Sequence, residues 1–282
     1  MPTISIIGTP IGNLEDITLR ALKVMAAADV ILCEDTRMTK RLLDRHSITT
    51  RTLSYHMHSK LSRTDDIIRL LKEGKNLALV SDAGTPGISD PGAELVGRIR
   101  HELASEIAAG QIKIEAVPGP SALTAALSIA GVPCADFTFL GFLPHKKGRE
   151  TLFKEIAISE RTMVFYESPH RIIKTLDSLA KHLSSIEGGK HLSADTDDLD
   201  TMTKRAEDIN RLKAGDKQSK GLDKVPYEDA SKRVTICREL TKVFEEVVAG
   251  TPVEVKAYFE AHPDKVRGEF VVIVSNTQVR PV

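Results

Sequence analysis

Three carboxylates in this 282-residue chain stand at or just past the end of a predicted strand: Glu34, Glu167 and Glu239. Arg37 follows the first in sequence, and Arg238 and Lys242 flank the third. Carboxylates so placed can take or give protons. Arginine can grip a phosphate through two parallel hydrogen bonds, and lysine is the cation more readily turned into a base. The simpler reading of Glu239 with Lys242 is a surface helix pair, contributing about 0.3–0.5 kcal/mol. The histidines are scattered, and lone ones such as His56 and His170 read as hydrogen-bonded structural residues.

Three turns of small residues offer a place for a ligand. The longest, residues 81–92 (Ser-Asp-Ala-Gly-Thr-Pro-Gly-Ile-Ser-Asp-Pro-Gly), follows the apolar run 77–80 and ends on Asp90-Pro91, a cap followed by a helix-starting proline. Strand-to-helix connections usually run about 2–6 residues, so this one is long. Thr9-Pro10-Ile11-Gly12-Asn13 and Pro118-Gly119-Pro120-Ser121-Ala122 each close another short β-branched or apolar run. Glycine lets such a turn aim its N–H groups inward, and small neighbours let a ligand reach the backbone. None of the three contains GxGxxG or GxxxxGK[ST]. Ser121 lacks the second glycine of a nucleophile elbow, so it reads as a hydrogen-bond donor or helix cap.

The elements that must carry these turns alternate. Strands are expected at 3–8, 29–33, 53–56, 77–80 and 112–117. The intervening helices carry Leu19, Leu22 and Met25, then a basic face with Arg37, Lys40, Arg41 and Arg45, then Ile67, Ile68, Leu70 and Leu71 before Gly74. Such alternation predicts right-handed βαβ units and a parallel sheet, with all three turns on the sheet edge where α/β folds bind ligands. After an apolar run at 137–143 comes a compact basic segment, Pro144-His145-Lys146-Lys147-Gly148-Arg149. It suggests a boundary between a domain at 1–143 and another at 144–282. The second block reads as a helix from about Glu150, strands at 162–166, 234–237 and 270–275, and helices around 172–179 and 253–259. Residues 187–232 break the rhythm with dense mixed charge and one aromatic, so a charged surface insertion with one short helix through Leu199, Met202, Ile209 and Leu212 is expected there.

Composition narrows the class. Hydrophobic residues make up 41% and charged residues 28%, ordinary for a soluble globular α/β protein. Lys plus Arg equals Asp plus Glu at 39 each, so a polyanionic partner would have to meet local basic patches. The cysteines, Cys33, Cys134 and Cys237, are odd in number and far apart, which fits a reducing compartment and gives no CxxC site. No apolar run approaches the ~18 residues of a membrane span, and no signal-like start is present. A cytoplasmic protein with no metal centre is expected.

Several blocks together resemble a known family. Gly8-Thr9-Pro10-Ile11-Gly12-Asn13-Leu14, Glu34-Asp35-Thr36-Arg37, residues 81–92, residues 118–122, Gly141-Phe142-Leu143-Pro144, Glu167-Ser168-Pro169-His170-Arg171, Arg238-Glu239-Leu240-Thr241-Lys242 and Gly268-Glu269-Phe270 are similar, in order, to the motifs of the ribosomal RNA small subunit methyltransferase I family. That family lies within the tetrapyrrole methylase superfamily. The charged segment at 187–232 departs from its pattern.

The resemblance implies two αβα domains with S-adenosylmethionine in the cleft between them, a homodimer, and 2′-O-methylation of a cytidine ribose in the decoding region of small-subunit rRNA. It points to Pro10, Asp82, Ala83, Gly84, Thr85, Ser121 and Ala122 around the cofactor, with Tyr166, Leu240 and Phe270 completing the cleft. Asp82 would meet ribose hydroxyls or positive charge, or else cap its own loop. Proton transfer would fall to Glu167 or Lys242, with Glu239 and Arg238 beside them. Arg37, Lys40, Arg41, Lys146, Lys147 and Arg149 would neutralise phosphates of rRNA or of the assembled small subunit. The alternatives are a tetrapyrrole-type small-molecule methyltransferase and a non-catalytic nucleotide-binding module.

Overall fold

The apolar runs at the start of the chain leave little choice but burial on both faces. In the computed structural model, which describes residues 1–55, 61–187 and 232–276, β1 (Thr3–Ile7), β2 (Val30–Cys33), β3 (Thr52–Ser54), β4 (Leu77–Val80) and β5 (Lys113–Val117) form one sheet. Their order is β3-β2-β4-β1-β5 and every pair is parallel, as the alternation predicts. β2 and β4 are buried at every position. Their side chains divide by the period of two: Leu32, Leu77 and Leu79 enter one core, and Ile31, Ala78 and Val80 enter the other.

Helices α1 (Leu19–Ala27) and α2 (Thr36–Arg45) contribute Met25, Leu42 and Leu43 to the second of these cores. Helices α3 (Leu61–Lys72) and α4 (Gly92–Glu102) contribute Ile67, Leu71, Leu95 and Ile99 to the first, and the short α5 (Ala104–Ala108) leads on to β5. Each fully buried Leu or Ile contributes about 1.5–3 kcal/mol.

The second sheet joins β6 (Phe137–Phe142), β7 (Thr162–Glu167), β8 (Arg233–Arg238), β9 (Glu246–Gly250) and β10 (Phe270–Ser275) in the order β6-β7-β10-β8-β9. Here the parallel expectation fails except between β6 and β7; the other three pairs are antiparallel. The reason is the connection from β8 to β9, a tight turn over residues 239–245 instead of a helix, which only antiparallel strands allow. β9 itself is an edge strand whose outward Val247 and Ala249 alternate with Glu246, Val248 and Gly250, too weak a pattern to stand out in the sequence. Because β6 pairs with β7, the change of sheet falls between Val117 and Phe137, ahead of the basic segment at 144–149.

Helices α7 (Arg149–Ile158), α8 (Ile172–Glu187) and α9 (Pro252–Ala261) cover one face through Phe153, Leu176, Leu179 and Phe259. On the other face lies α6 (Ala122–Ile129), which leaves the first sheet's third turn and packs Ala126 and Leu127 against Val164, Val271 and Ile273 of the second. One helix therefore ties the ligand-type turns to the second sheet. The expected insertion, apart from its end residues 187 and 232, lies outside the described residues, as does His56. No helix among the described residues is long and apolar enough to cross a membrane. Cys33 and Cys237 are buried free thiols and Cys134 is exposed.

Candidate active site between the two sheets

The three turns meet. Thr9 and Gly84 exchange backbone hydrogen bonds of 2.9 and 3.0 Å, joining the first turn to the second. The Thr85 hydroxyl donates to the Pro120 carbonyl at 3.2 Å, joining the second to the third. Between the first and third turns the backbones touch: a Cβ on Gly8 would fall 2.8 Å from the Gly119 Cα. Glycine is required at both positions by this approach. Asp90 closes the long loop, its Oδ1 accepting the N–H groups of Gly87 and Gly92 at 2.8 and 2.7 Å; the cap position of α4 falls on Pro91, one residue later than expected.

The second sheet supplies the facing wall through the turn after β8. Glu239 and Thr241 there hold φ of 49° and 65°, a left-handed backbone that non-glycine residues adopt at some cost. The turn is pinned across the gap: Asn13 N–H donates to Thr241 Oγ1 at 3.0 Å, and a Cβ on Gly12 would fall within 2.7–2.9 Å of Lys242, Thr241 and Leu240. Lys242 pairs with Glu239 at 2.9 Å, and the Glu239 carboxylate lies over Gly268, where a Cβ would be only 1.8 Å from its Oε1.

A cleft of about 230 Å³ opens between these walls. Of the cofactor positions expected from sequence, Asp82, Ala83, Gly84, Thr85, Ser121, Ala122, Tyr166, Leu240 and Phe270 line it. Pro10 is buried and does not line it, whereas the next residue, Ile11, does. Asp82 does not cap its own loop: Oδ1 accepts the Asp35 N–H at 3.0 Å, tying the loop to the segment after β2, while the residue is exposed and lines the cleft.

The expected catalytic groups separate. Glu239 and Lys242 line the cleft. Glu167 does not, and it is fully buried. Its carboxylate accepts from Ser168 N–H at 2.9 Å and Thr175 Oγ1 at 2.7 Å, and pairs with Arg149 at 3.2 Å and Arg171 at 2.7 Å. Those four partners occupy its lone pairs, so Glu167 holds β7, α7 and α8 together, outside the cleft in which the sequence led us to expect it as a proton acceptor. Arg238 is likewise turned inward, 6% exposed, donating to Glu246 at 3.2 Å and the Phe244 carbonyl at 3.4 Å.

Glu34 comes into the cleft instead, from the carboxyl end of β2. Burial pushes its carboxyl above the ordinary range, and the Asp82 and Asp90 carboxylates push the same way, against a backbone hydrogen bond from Asp82. No cation among the described residues forms an ion pair with it. Burial also raises the Tyr166 phenol. Phe142, Ile88, Asp90 and Glu269 also line the cleft, although the sequence assigned none of them to the cofactor or the chemistry. The signal for Phe142 was Gly141 inside a strand pattern, which marks a bulge.

The basic residues also divide. Lys40, Arg41, Lys146 and Lys147 are exposed. Arg37 is 88% exposed but already forked onto Asp35 at 2.7 and 3.0 Å. Arg149 is committed to Glu167, Thr175 and the Pro144 carbonyl, which removes it from any phosphate-binding surface. No metal-holding group of His, Cys, Asp and Glu occurs among the described residues.

Known proteins are similar to this chain in sequence and in fold. Residues 3–255 match the family described as Tetrapyrrole (Corrin/Porphyrin) Methylases. The ribosomal RNA small subunit methyltransferase I of Halalkalibacterium halodurans is 38% identical over 273 residues, covering 96% of this chain and 75% of that protein. The protein of the same name from Thermotoga maritima is 46% identical over 187 residues, 66% of this chain and 81% of that one. Among solved structures, the methyltransferase CobJ is similar with a TM-score of 0.56 and 17% identity over 100% of this chain and 97% of its own. Uroporphyrin-III-C-methyltransferase from Thermus thermophilus gives a TM-score of 0.54 at 16% identity, covering 98% and 95%. At those identities the structural likeness carries the fold alone.

Proposed function

The chain belongs to the ribosomal RNA small subunit methyltransferase I family of the tetrapyrrole methylases, and from that premise we propose that it methylates the 2′-hydroxyl of a cytidine ribose in the decoding region of small-subunit rRNA, using S-adenosylmethionine. The observation that carries this reading is the cleft itself: nine positions matching the family's cofactor pattern, drawn from both sheets, line one cavity. Each sheet with its helices is taken as one domain, the two meeting along that cleft, in a cytoplasmic homodimer.

The residues present fit the cofactor. Ala83, Gly84, Ser121 and Ala122 leave backbone groups open to an adenosine and an amino acid, and Asp82, Asp90 and Glu34 suit a ligand that carries positive charge. When bound, S-adenosylmethionine supplies an electrophilic methyl group on a sulfonium. The protein's share is alignment and proton handling. Alignment of two reactants in a cleft can contribute up to ~7–11 kcal/mol of the barrier. Glu34 is assigned as acceptor of the hydroxyl proton, because it is a cleft carboxylate with no ion-pair partner among the described residues and with a raised proton affinity. A positioned base of this kind is worth ~10²–10⁴ in rate. Lys242, steadied by Glu239, is assigned to the ribose-phosphate that carries the hydroxyl.

Lys40, Arg41, Lys146 and Lys147 are the exposed cations available to further phosphates. The test is transfer of tritiated methyl groups from S-adenosylmethionine to assembled small subunits, followed by digestion to nucleosides. Label in 2′-O-methylcytidine supports the reading. Cofactor binding without transfer to subunits or free rRNA would favour a binding module, and transfer only to a tetrapyrrole would favour the small-molecule alternative.

A further inference from the structure

The strand that carries Phe142 into the cleft does so through a fault in its pairing. β6 runs in register with β7 through Phe139 and then shifts before Phe142, with Gly141 between them at φ 65°. A bulge of this kind re-aims the side chain that follows it. Phe142 is 45% exposed at the mouth of the cleft, and its ring centroid lies 5.3 Å from that of Tyr166, which is in turn 4.9 Å from Phe139. The ring is therefore held in place from behind while much of it faces solvent. The opposite wall comes close at the same point, since a Cβ on Gly141 would fall 3.3 Å from Ser89 Oγ, and Ile88 beside it is 42% exposed. A few residues further on stand the exposed Lys146 and Lys147.

A pre-positioned aromatic at the lip of a narrow cleft, followed by two exposed lysines, suits a splayed-out nucleotide: a flat base for the ring and phosphates for the lysines. We infer that Phe142 is the stacking platform for the nucleobase whose ribose is methylated, a substrate-positioning residue distinct from the cofactor positions. This rests on the function proposed above. Presenting a ribose hydroxyl inside a cleft obliges the nucleotide to leave its own stack, and an aromatic ring replaces the lost stacking on the enzyme.

The experiment compares Phe142→Ala, Phe142→Leu and Phe142→Tyr in the full-length protein. Three quantities are measured: KM and kcat for small subunits, Kd for S-adenosylmethionine, and Kd for a single-stranded oligoribonucleotide with a fluorescent base analogue. The expected result is a weakening of RNA binding and a rise in KM of about 5- to 150-fold for Ala, the range of one base–aromatic stack. Recovery is expected with Tyr and not with Leu, and cofactor Kd should change far less than RNA Kd. Equal recovery with Leu, an unchanged RNA Kd and KM, or a loss confined to cofactor affinity each overturns the proposal. If wild-type protein transfers no methyl to rRNA, the proposed function fails, and the oligoribonucleotide titration still decides the stack. Melting curves identify any variant that fails to fold, and for such a variant Phe142→Tyr against Phe142→Leu remains the deciding pair.

Discussion

Gly8 and Gly119 lie in backbone contact across the edge of the first sheet: a Cβ on Gly119 would sit 2.6 Å from the Gly8 carbonyl oxygen. No side chain could yield there, because both partners are main chain. Gly119→Ala should therefore push the first and third turns apart, costing about 1–3 kcal/mol of stability, the usual range for overpacking. Urea denaturation measures the cost, and calorimetric titration should show weakened S-adenosylmethionine binding in the folded variant. An unchanged affinity would mean that the two turns need not meet for the ligand to bind.

Glu167 anchors two arginines in the interior. Glu167→Gln removes the charge that Arg149 and Arg171 face, and breaking a buried pair in this way costs about 3–5 kcal/mol. Chemical denaturation should register that loss, while kcat of the folded fraction stays within a few-fold of wild type. A collapse of kcat at unchanged stability would return Glu167 to the catalytic step.

For Glu34 the direction of the shift sets the sign. Its folded proton affinity is raised above the ordinary carboxyl value of 4.5, so folding favours the protonated form. The associated stability is present below about pH 4 and is lost as pH rises through the raised value. Glu34→Gln should then melt at a higher temperature than wild type near pH 7–8, with the difference vanishing toward pH 4. The same variant should lose ~10²–10⁴ in kcat, and wild-type kcat should fall as acid protonates the base. A more stable and fully active variant would remove Glu34 from the chemistry.

The basic surfaces differ in readiness. Lys146 and Lys147 are exposed and form no ion pair among the described residues, whereas Arg37 is already forked onto Asp35. The double variant Lys146→Ala/Lys147→Ala should lower the salt slope of single-stranded RNA binding by about 1.4, the value for two phosphate contacts. Arg37→Ala should change it less. Filter binding across a salt series measures both, and the opposite ranking would place the RNA on α2.

How far the chain could be read in advance follows from what each feature depends on. The turns and the parallel sheet were legible because glycine, proline and unbroken apolar runs constrain the backbone locally: Gly84 and Gly119 announce their geometry in their own identity. Glu167 was not, because its role is fixed by Arg149, Arg171 and Thr175, and strand-end position alone does not distinguish an anchor from a base. The antiparallel part of the second sheet was hidden in the turn after β8, where Glu239 and Thr241 take up a left-handed backbone with no glycine to mark it. The place of Phe142 in the cleft was not legible because a bulge, set by the pairing of β6 with β7, decides which way it points.

The most direct measurement is a crystal structure with S-adenosylmethionine bound. The account predicts the ligand against Asp82, Ala83, Gly84 and Thr85 on one side and Tyr166, Leu240 and Phe270 on the other, its methyl carbon turned toward Glu34. Ligand density outside the space between the two sheets, or a methyl carbon facing away from every ionisable group of that space, would contradict it.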